Sequence, residues 1–284
     1  MIKNNLLSKH AKSFKWASFF LSSFLYEKIS IIYDFCRTVD DIADQSFKSL
    51  EQRKYKLNEF KKKFRLKNDL DNITKRMWNL LEKENISKNL IEDLFDGIST
   101  DLQQKVKINS RKELLVYCYR VAGTVGLMMA RILKVQDKNS LKGAIDLGIA
   151  MQLTNIARDV VEDKKMSREY INDDFQSIVN TIGMADNFYR SSFTAIKSIP
   201  LKNRFSIIVA RRVYREIGYK ILNTKSKENY NKSGKIYISI YGKIIQTFLS
   251  VLDIIKLAFM KIENHKMIDE HNAIREEVDL NERI

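Results

Sequence analysis

In the segment EKISIIYDFCRTVDDIAD, Tyr33, Arg37, Asp40 and Asp44 recur at intervals of 4, 3 and 4 residues. In AIDLGIAMQLTNIARDVVED, Gln152, Asn155, Asp159 and Asp163 recur at 3, 4 and 4. On a helix with about 3.6 residues per turn, each set falls on one stripe. Carboxylates at i and i+4 project from one helix face and can share a hard cation. Mg2+ in particular prefers a few carboxylates plus waters and substrate phosphates over an all-protein cage. Two such pairs on facing helices would bracket a diphosphate through several Mg2+ ions. Arg37 and Arg158, one beside each pair, could bind phosphate oxygens directly.

A single i,i+4 carboxylate pair is common in a helical chain with 35 acidic residues. Taken alone, Asp40 and Asp44 read as a surface feature or an ion-pair partner of a neighbouring arginine. The coincidence of two pairs, each beside an arginine and each at the edge of an apolar stripe, points to a site. Ile29, Ile32, Cys36, Val39 and Ala43 form the stripe beside the first pair, and Ile145, Ile149, Leu153, Ile156 and Val160 the one beside the second. Residues 141–163 are apolar on nearly every face, the mark of a central helix. Gln152 and Asn155 are therefore expected to be buried, and buried amides must be paired or must hold a ligand.

The elements that carry these stripes follow from composition. The 284 residues include 1 proline and 9 glycines, too few for a sandwich, a propeller or a turn-rich barrel. With 44% hydrophobic and 30% charged residues, the chain is expected to be all-α: one domain spanning 1–284, of roughly eight to ten helices around a single cavity. Its core runs over about 8–263, followed by a polar C-terminal tail, 264–284. Residues 46–115 read as charged amphipathic helices with Lys61–Lys63 as a solvated run, and Pro200 as a residue that opens or separates helices. The apolar run Trp16–Tyr26 is too short to span a bilayer and is expected as a buried helix. Ile244–Ile262 fails as a span because Asp253 and Lys256 sit in it. Cys36 and Cys118 have no metal spacing and are expected as buried thiols in a reducing compartment. His265 and His271 lie near Asp269, a set that could hold a metal, but a solvated tail is the expected reading.

The net charge of +15 suggests a polyanionic partner. A nucleic-acid site would concentrate lysines with aromatic residues on one face. Here the lysines are spread over many segments, so no nucleic acid is expected. Much of the surplus reads as solvated surface that favours loose association with an anionic membrane.

These residues resemble the squalene/phytoene synthase family of head-to-head isoprenyl diphosphate synthases, closest to its bacterial phytoene and dehydrosqualene synthases. YDFCRTVDDIAD is similar to the family's first aspartate-rich motif and NIARDVVEDKKMSREY to its second. YCYRVAGTVG, from Tyr117 to Gly126, is close to a family signature, and HAKSF, from His10 to Phe14, resembles a segment that folds over the diphosphate. The resemblance runs from about His10 to Lys243. Asp40, Asp41 and Asp44 also read as DDxxD, the motif of head-to-tail prenyltransferases and terpene cyclases, but those families carry a different second acidic motif and no VAGTVG run.

The resemblance implies an isoprenoid-synthase-type helical bundle. It implies Asp40, Asp44, Asp159 and Asp163 as ligands of Mg2+, with Mn2+ an alternative, and Asn155 assisting. It implies that Tyr33, Arg37, Gln152, Arg158, Tyr214 and the segment His10, Ala11, Lys12 and Ser13 contact the diphosphates. Tyr117 and Asp101 match further polar positions of the cavity, Tyr117 among the catalytic ones, although Tyr117 and Tyr119 also fit plain packing. Gly123, Gly126 and Ala122 would keep a lipid tunnel wide or let helices approach closely. Ala11 stands where a serine is usual, Val161 where a glycine is usual, and Tyr237 where an arginine is usual, with Lys235 able to replace another. The implied reaction is phytoene formation from two geranylgeranyl diphosphates. A dehydrosqualene or squalene-type reaction of two farnesyl diphosphates is the alternative, and a non-catalytic scaffold the third reading. No GxGxxG fingerprint is present and NADPH is not expected. The expected location is cytoplasmic, on the inner face of the membrane, and the oligomeric state is left open.

Overall fold

The computed structural model describes residues 12–45, 47–261, 264, 265 and 267–284. It is about 75% helical. In chain order the helices are α1 (Lys12–Ser18), α2 (Ser23–Asp44), α3 (Leu50–Leu66), α4 (Asn72–Lys83), α5 (Asn89–Thr100), α6 (Arg111–Cys118) and α7 (Thr124–Ile132). There follow α8 (Lys138–Lys165), α9 (Phe175–Ser191), α10 (Leu201–Leu222), α11 (Lys227–Lys232), α12 (Ile240–Phe259), α13 (Asp269–Arg275) and α14 (Leu280–Arg283). A π-helical turn, Tyr119–Gly123, joins α6 to α7 into one long rod. Two short strands, β1 (Val106–Lys107) and β2 (Arg168–Glu169), pair in parallel. The described residues thus form the expected all-α architecture.

Helix starts are written in the sequence. Ser22, Ser49, Asp71, Ser110, Asp137, Asp174 and Ser239 each accept a backbone N–H three residues on. Each bond satisfies one of the orphan donors of a first turn. As the proline predicts, α10 begins directly after Pro200.

The centre of the bundle is α8, which packs on α9, α10, α7 and the π turn. Ile145, Ile149, Leu153 and Ile156 on this helix are all buried. Its approach to the α6–α7 rod is backbone on backbone. A Cβ on Gly126 would lie 2.2 Å from the Ala144 carbonyl oxygen, and one on Gly148 2.2 Å from that of Ala122. The glycine run in VAGTVG therefore serves close helix contact here.

Three expectations are corrected. Trp16–Tyr26 is not one buried helix: α1 ends at Ser18, a turn follows, and the Ser22 hydroxyl restarts the chain as α2 by accepting from the Leu25 amide. Phe19, Phe20 and Phe24 are left exposed. Lys61 is not part of a solvated run, because it is buried and its Nζ donates to Ser99 Oγ at 2.7 Å.

The polar tail, third, is not solvated. Asp146 of α8 is 1% exposed and accepts from His265 Nε2 at 2.7 Å and His271 Nε2 at 2.8 Å. Asp269, the neighbour expected from sequence, is not this partner. Burial alone would push the Asp146 carboxyl up, but the imidazole hydrogen bonds outweigh it and hold the group below its ordinary range. The backbone N–H of Ile268 donates to His271 Nδ1 at 3.0 Å. That bond leaves the ring proton on Nε2, where it points at Asp146, so the cluster is a hydrogen-bonded clasp. Further along, Arg283 Nε reaches Asp93 at 2.9 Å, beside the Tyr119 hydroxyl at 2.8 Å, while Ile274 and Val278 bury their side chains.

Candidate active site

Helix α2 carries Tyr33, Arg37, Asp40 and Asp44 along one flank, and α8 carries Gln152, Asn155, Asp159 and Asp163. All eight are half-buried, so both stripes sit at the edge of the core. Asp101, one residue past α5, stands between them: its charge acts on both Asp40 and Asp163. Arg168 of β2 completes the connection, donating to Asp44 at 2.9 Å while its charge also acts on Asp163 and Asp101. The structure thus brings the two aspartate pairs to one site.

Among the described residues, Arg37, Arg158, Arg168 and Lys235 near the pairs are each held by a carboxylate. Arg37 lies 2.6 Å from Asp41 and 3.8 Å from Asp44. Arg158 grips Asp159 through two bonds of 2.7 and 2.6 Å, and Lys235 reaches the same carboxylate at 3.0 Å. The Lys235 position expected to replace an arginine is therefore at the site. Tyr214 is buried, its ring 5.2 Å from that of Phe14, which brings α1 and Ser13 to this end of the bundle. His10 and Ala11 lie outside the described residues, as does the side chain of Lys12. Val161 is half-buried and packs against the core.

A second polar cluster hangs from Asp101. It accepts from the Tyr170 hydroxyl at 2.5 Å and the Tyr117 hydroxyl at 3.0 Å, and the two rings stack at 4.8 Å. Tyr119, by contrast, turns away to Asp93. In the sequence, Arg168 and Tyr170 stand inside the second motif with no acidic or amide stripe to single them out. Their alternation around Glu169 was the available signal, since residues i and i+2 of an extended segment point to the same side. A cavity of about 130 Å3 opens beside them, lined by Ile156, Val160, Asp163, Arg168, Tyr170 and Ile171.

Electrostatics mark the site as short of positive charge at its centre. Burial first, and the neighbouring Asp44 second, push Asp40 up to about 7 against the pull of Arg37. Burial and Asp159 likewise push Asp163 up to about 7 against Arg168. Burial also pushes the Tyr33 hydroxyl up to about 12. The Asn155 carbonyl oxygen is buried without a hydrogen-bond partner, as is Arg37 Nε. An orphan amide oxygen beside carboxylates that resist ionisation is a donor set that fits a hard divalent cation.

A pH dependence follows. A carboxyl raised by folding binds more protons in the native than in the unfolded state, so stability falls as pH rises from the ordinary carboxylate range toward 7. In EDTA, the melting temperature is expected to drop as pH rises from about 4 to about 7 by thermal-shift assay, and Mg2+ with pyrophosphate to reverse the drop. A profile unchanged by Mg2+ would contradict the cation fit.

A family model described as squalene/phytoene synthase matches residues 7–180. The 15-cis-phytoene synthase of Enterobacter agglomerans is 30% identical over 249 residues, covering 76% of this chain and 84% of that protein. The 15-cis-phytoene synthase of Pantoea ananas is 27% identical over 246 residues, covering 74% and 78%. A dehydrosqualene synthase solved with ligand superposes with a TM-score of 0.73 at 27% identity, over 88% of this chain and 94% of that one. A squalene synthase from Alicyclobacillus acidocaldarius, 17% identical, shares the fold with a TM-score of 0.67 over 79% and 92%.

Proposed function

The chain belongs to the squalene/phytoene synthase family, and on that premise we propose that it joins two geranylgeranyl diphosphates head to head into phytoene, a step of carotenoid biosynthesis. It is a prenyltransferase of phytoene/squalene synthase type. The reading takes residues 1–284 as one synthase domain. The observation that carries it is the pair of aspartate stripes on α2 and α8, joined through Asp101 and Arg168, in a chain whose relatives are named phytoene synthases.

In this proposal Asp40, Asp44, Asp159 and Asp163, with the Asn155 carbonyl oxygen, hold Mg2+. A metal held there would supply positive charge to offset that of the departing diphosphate. Arg37, Arg158 and Lys235 exchange their carboxylate partners for phosphate oxygens, where guanidinium groups can bind two oxygens at once. Tyr33, Gln152, Tyr214 and the residues from His10 to Ser13 complete the diphosphate contacts. One allylic C–O bond breaks, releasing pyrophosphate and leaving an allylic cation. The double bond of the second substrate attacks that cation, and loss of a proton gives a cyclopropylcarbinyl diphosphate. This intermediate loses its own diphosphate, rearranges to the 1–1′ linkage and loses a proton to give the triene. Apolar side chains such as Ile156 and Val160 keep water from the cations. The Tyr117–Asp101–Tyr170 cluster is placed to orient the reacting ends.

Likeness to a dehydrosqualene synthase favours the farnesyl diphosphate reaction as the second reading. Incubation with each diphosphate and Mg2+, with and without NADPH, decides by product mass. Phytoene from geranylgeranyl diphosphate, unaffected by NADPH, is the expected result. A C30 hydrocarbon alone would overturn the chain length, and no hydrocarbon at all would favour a scaffold. We place the protein in the cytoplasm, against the inner face of the membrane that receives the hydrocarbon.

A further inference from the structure

Helix α12 is amphipathic in the wrong sense for a soluble bundle. Its inward face is largely polar around the buried Leu257: Gln246 bonds Arg212 and Glu216, each at 3.0 Å, and Asp253 bonds Arg212 at 2.8 Å. Thr247 accepts from the Trp16 indole at 3.0 Å. Its outward face is apolar. Tyr241, Ile245, Phe248, Leu252, Ile255 and Phe259 follow at intervals of 4, 3, 4, 3 and 4 and are all exposed, Phe248 by 71% and Phe259 by 86%. The stripe runs the length of a helix of about 30 Å. Phe19, 59% exposed, extends it, since its ring packs edge-on to Trp16. A continuous apolar face of this kind marks an interaction surface.

Charge selects the partner. Residues 240–261 carry three lysines, Lys243, Lys256 and Lys261, and one acid, Asp253, which is held by Arg212. Residues 12–26 add two lysines and no acid. A second copy of the chain would set this lysine-flanked stripe against itself, in a protein of net charge +15. An anionic bilayer accepts both parts, apolar side chains among the acyl chains and lysines at the headgroups. We propose that α12 lies flat on an anionic lipid bilayer, inserting the Tyr241–Phe259 stripe and Phe19, with its polar face kept on the protein. This extends the membrane association proposed above by naming the surface and the lipid charge, and its test needs no turnover.

The test is co-sedimentation of the full chain with vesicles of phosphatidylcholine alone or mixed with phosphatidylglycerol. The wild type is expected to pellet with the mixed vesicles, more weakly with phosphatidylcholine, and less as salt rises. The double substitution Phe248→Asp with Leu252→Asp should reduce binding roughly tenfold or more, given the transfer energy of two large apolar side chains. Its thermal melt should match the wild type, because both side chains face outward. Equal binding by the two proteins, or no binding by the wild type, would overturn the proposal. So would a wild-type dimer in light scattering that the double substitution converts to monomer, which would make the stripe an interface between copies.

Discussion

Asp40→Asn is expected to abolish hydrocarbon formation, by a factor on the order of 10³ or more, while raising the melting temperature of the protein in EDTA at pH 8. The two effects have one cause. Asp40 is pushed up to about 7 by burial and by Asp44, so at pH 8 its ionised form is a repulsive charge that the fold must carry. The amide removes that repulsion and keeps the shape. It also removes the negative charge that the proposed cation needs. A merely structural aspartate would behave in the opposite way, losing stability on neutralisation. Loss of activity with a lowered melting temperature, or activity retained within tenfold, would each refute the assignment. Stability gained at the expense of activity is common at sites built to hold charge together.

Gly148→Ala should destabilise the protein by about 3 kcal/mol or more, as overpacking without room to relax does. The added methyl would stand 2.2 Å from the Ala122 carbonyl oxygen and 2.7 Å from its carbon. Backbone cannot rotate aside as a side chain can, so α8 and the π turn must separate. The α8 aspartates would move with the helix, and turnover should fall along with stability. Gly183→Ala in α9 is the control. It is exposed with nothing within 4 Å of a built Cβ, so the same substitution there should stabilise by about 0.5–1 kcal/mol. Urea unfolding of both variants gives the comparison, and changes of the same sign at the two positions would refute the close-contact account.

The two stripes were legible because both halves of the argument are periodic. Apolar residues at helical spacing fix which way α2 and α8 face, and polar residues one position round are then at the core edge. The central helix was legible because it lacks a polar face. What could not be read were pairings between distant segments. Asp146 and His265 are 119 residues apart, and neither motif nor period joins them. Arg168 opens a two-residue strand and Tyr170 follows it, an element too short to show alternation of its own. The Trp16–Tyr26 run misled for a different reason. Hydrophobicity states that side chains prefer to leave water, but not that this chain supplies the place they go, and Phe19, Phe20 and Phe24 stay exposed. The same holds for α12, where the apolar half faces out.

The tail clasp has a consequence for the order in which the molecule can be made. The helices bearing Asp93, Tyr119 and Asp146 leave the ribosome well before His265, His271 and Arg283 are added. Until then Asp146 has no imidazole, and α8 carries a carboxylate that favours solvent over the bundle interior. Contacts of such sequence separation form late and slow folding. Docking of the His265–Arg283 segment onto α8 is therefore expected to be a late step of folding.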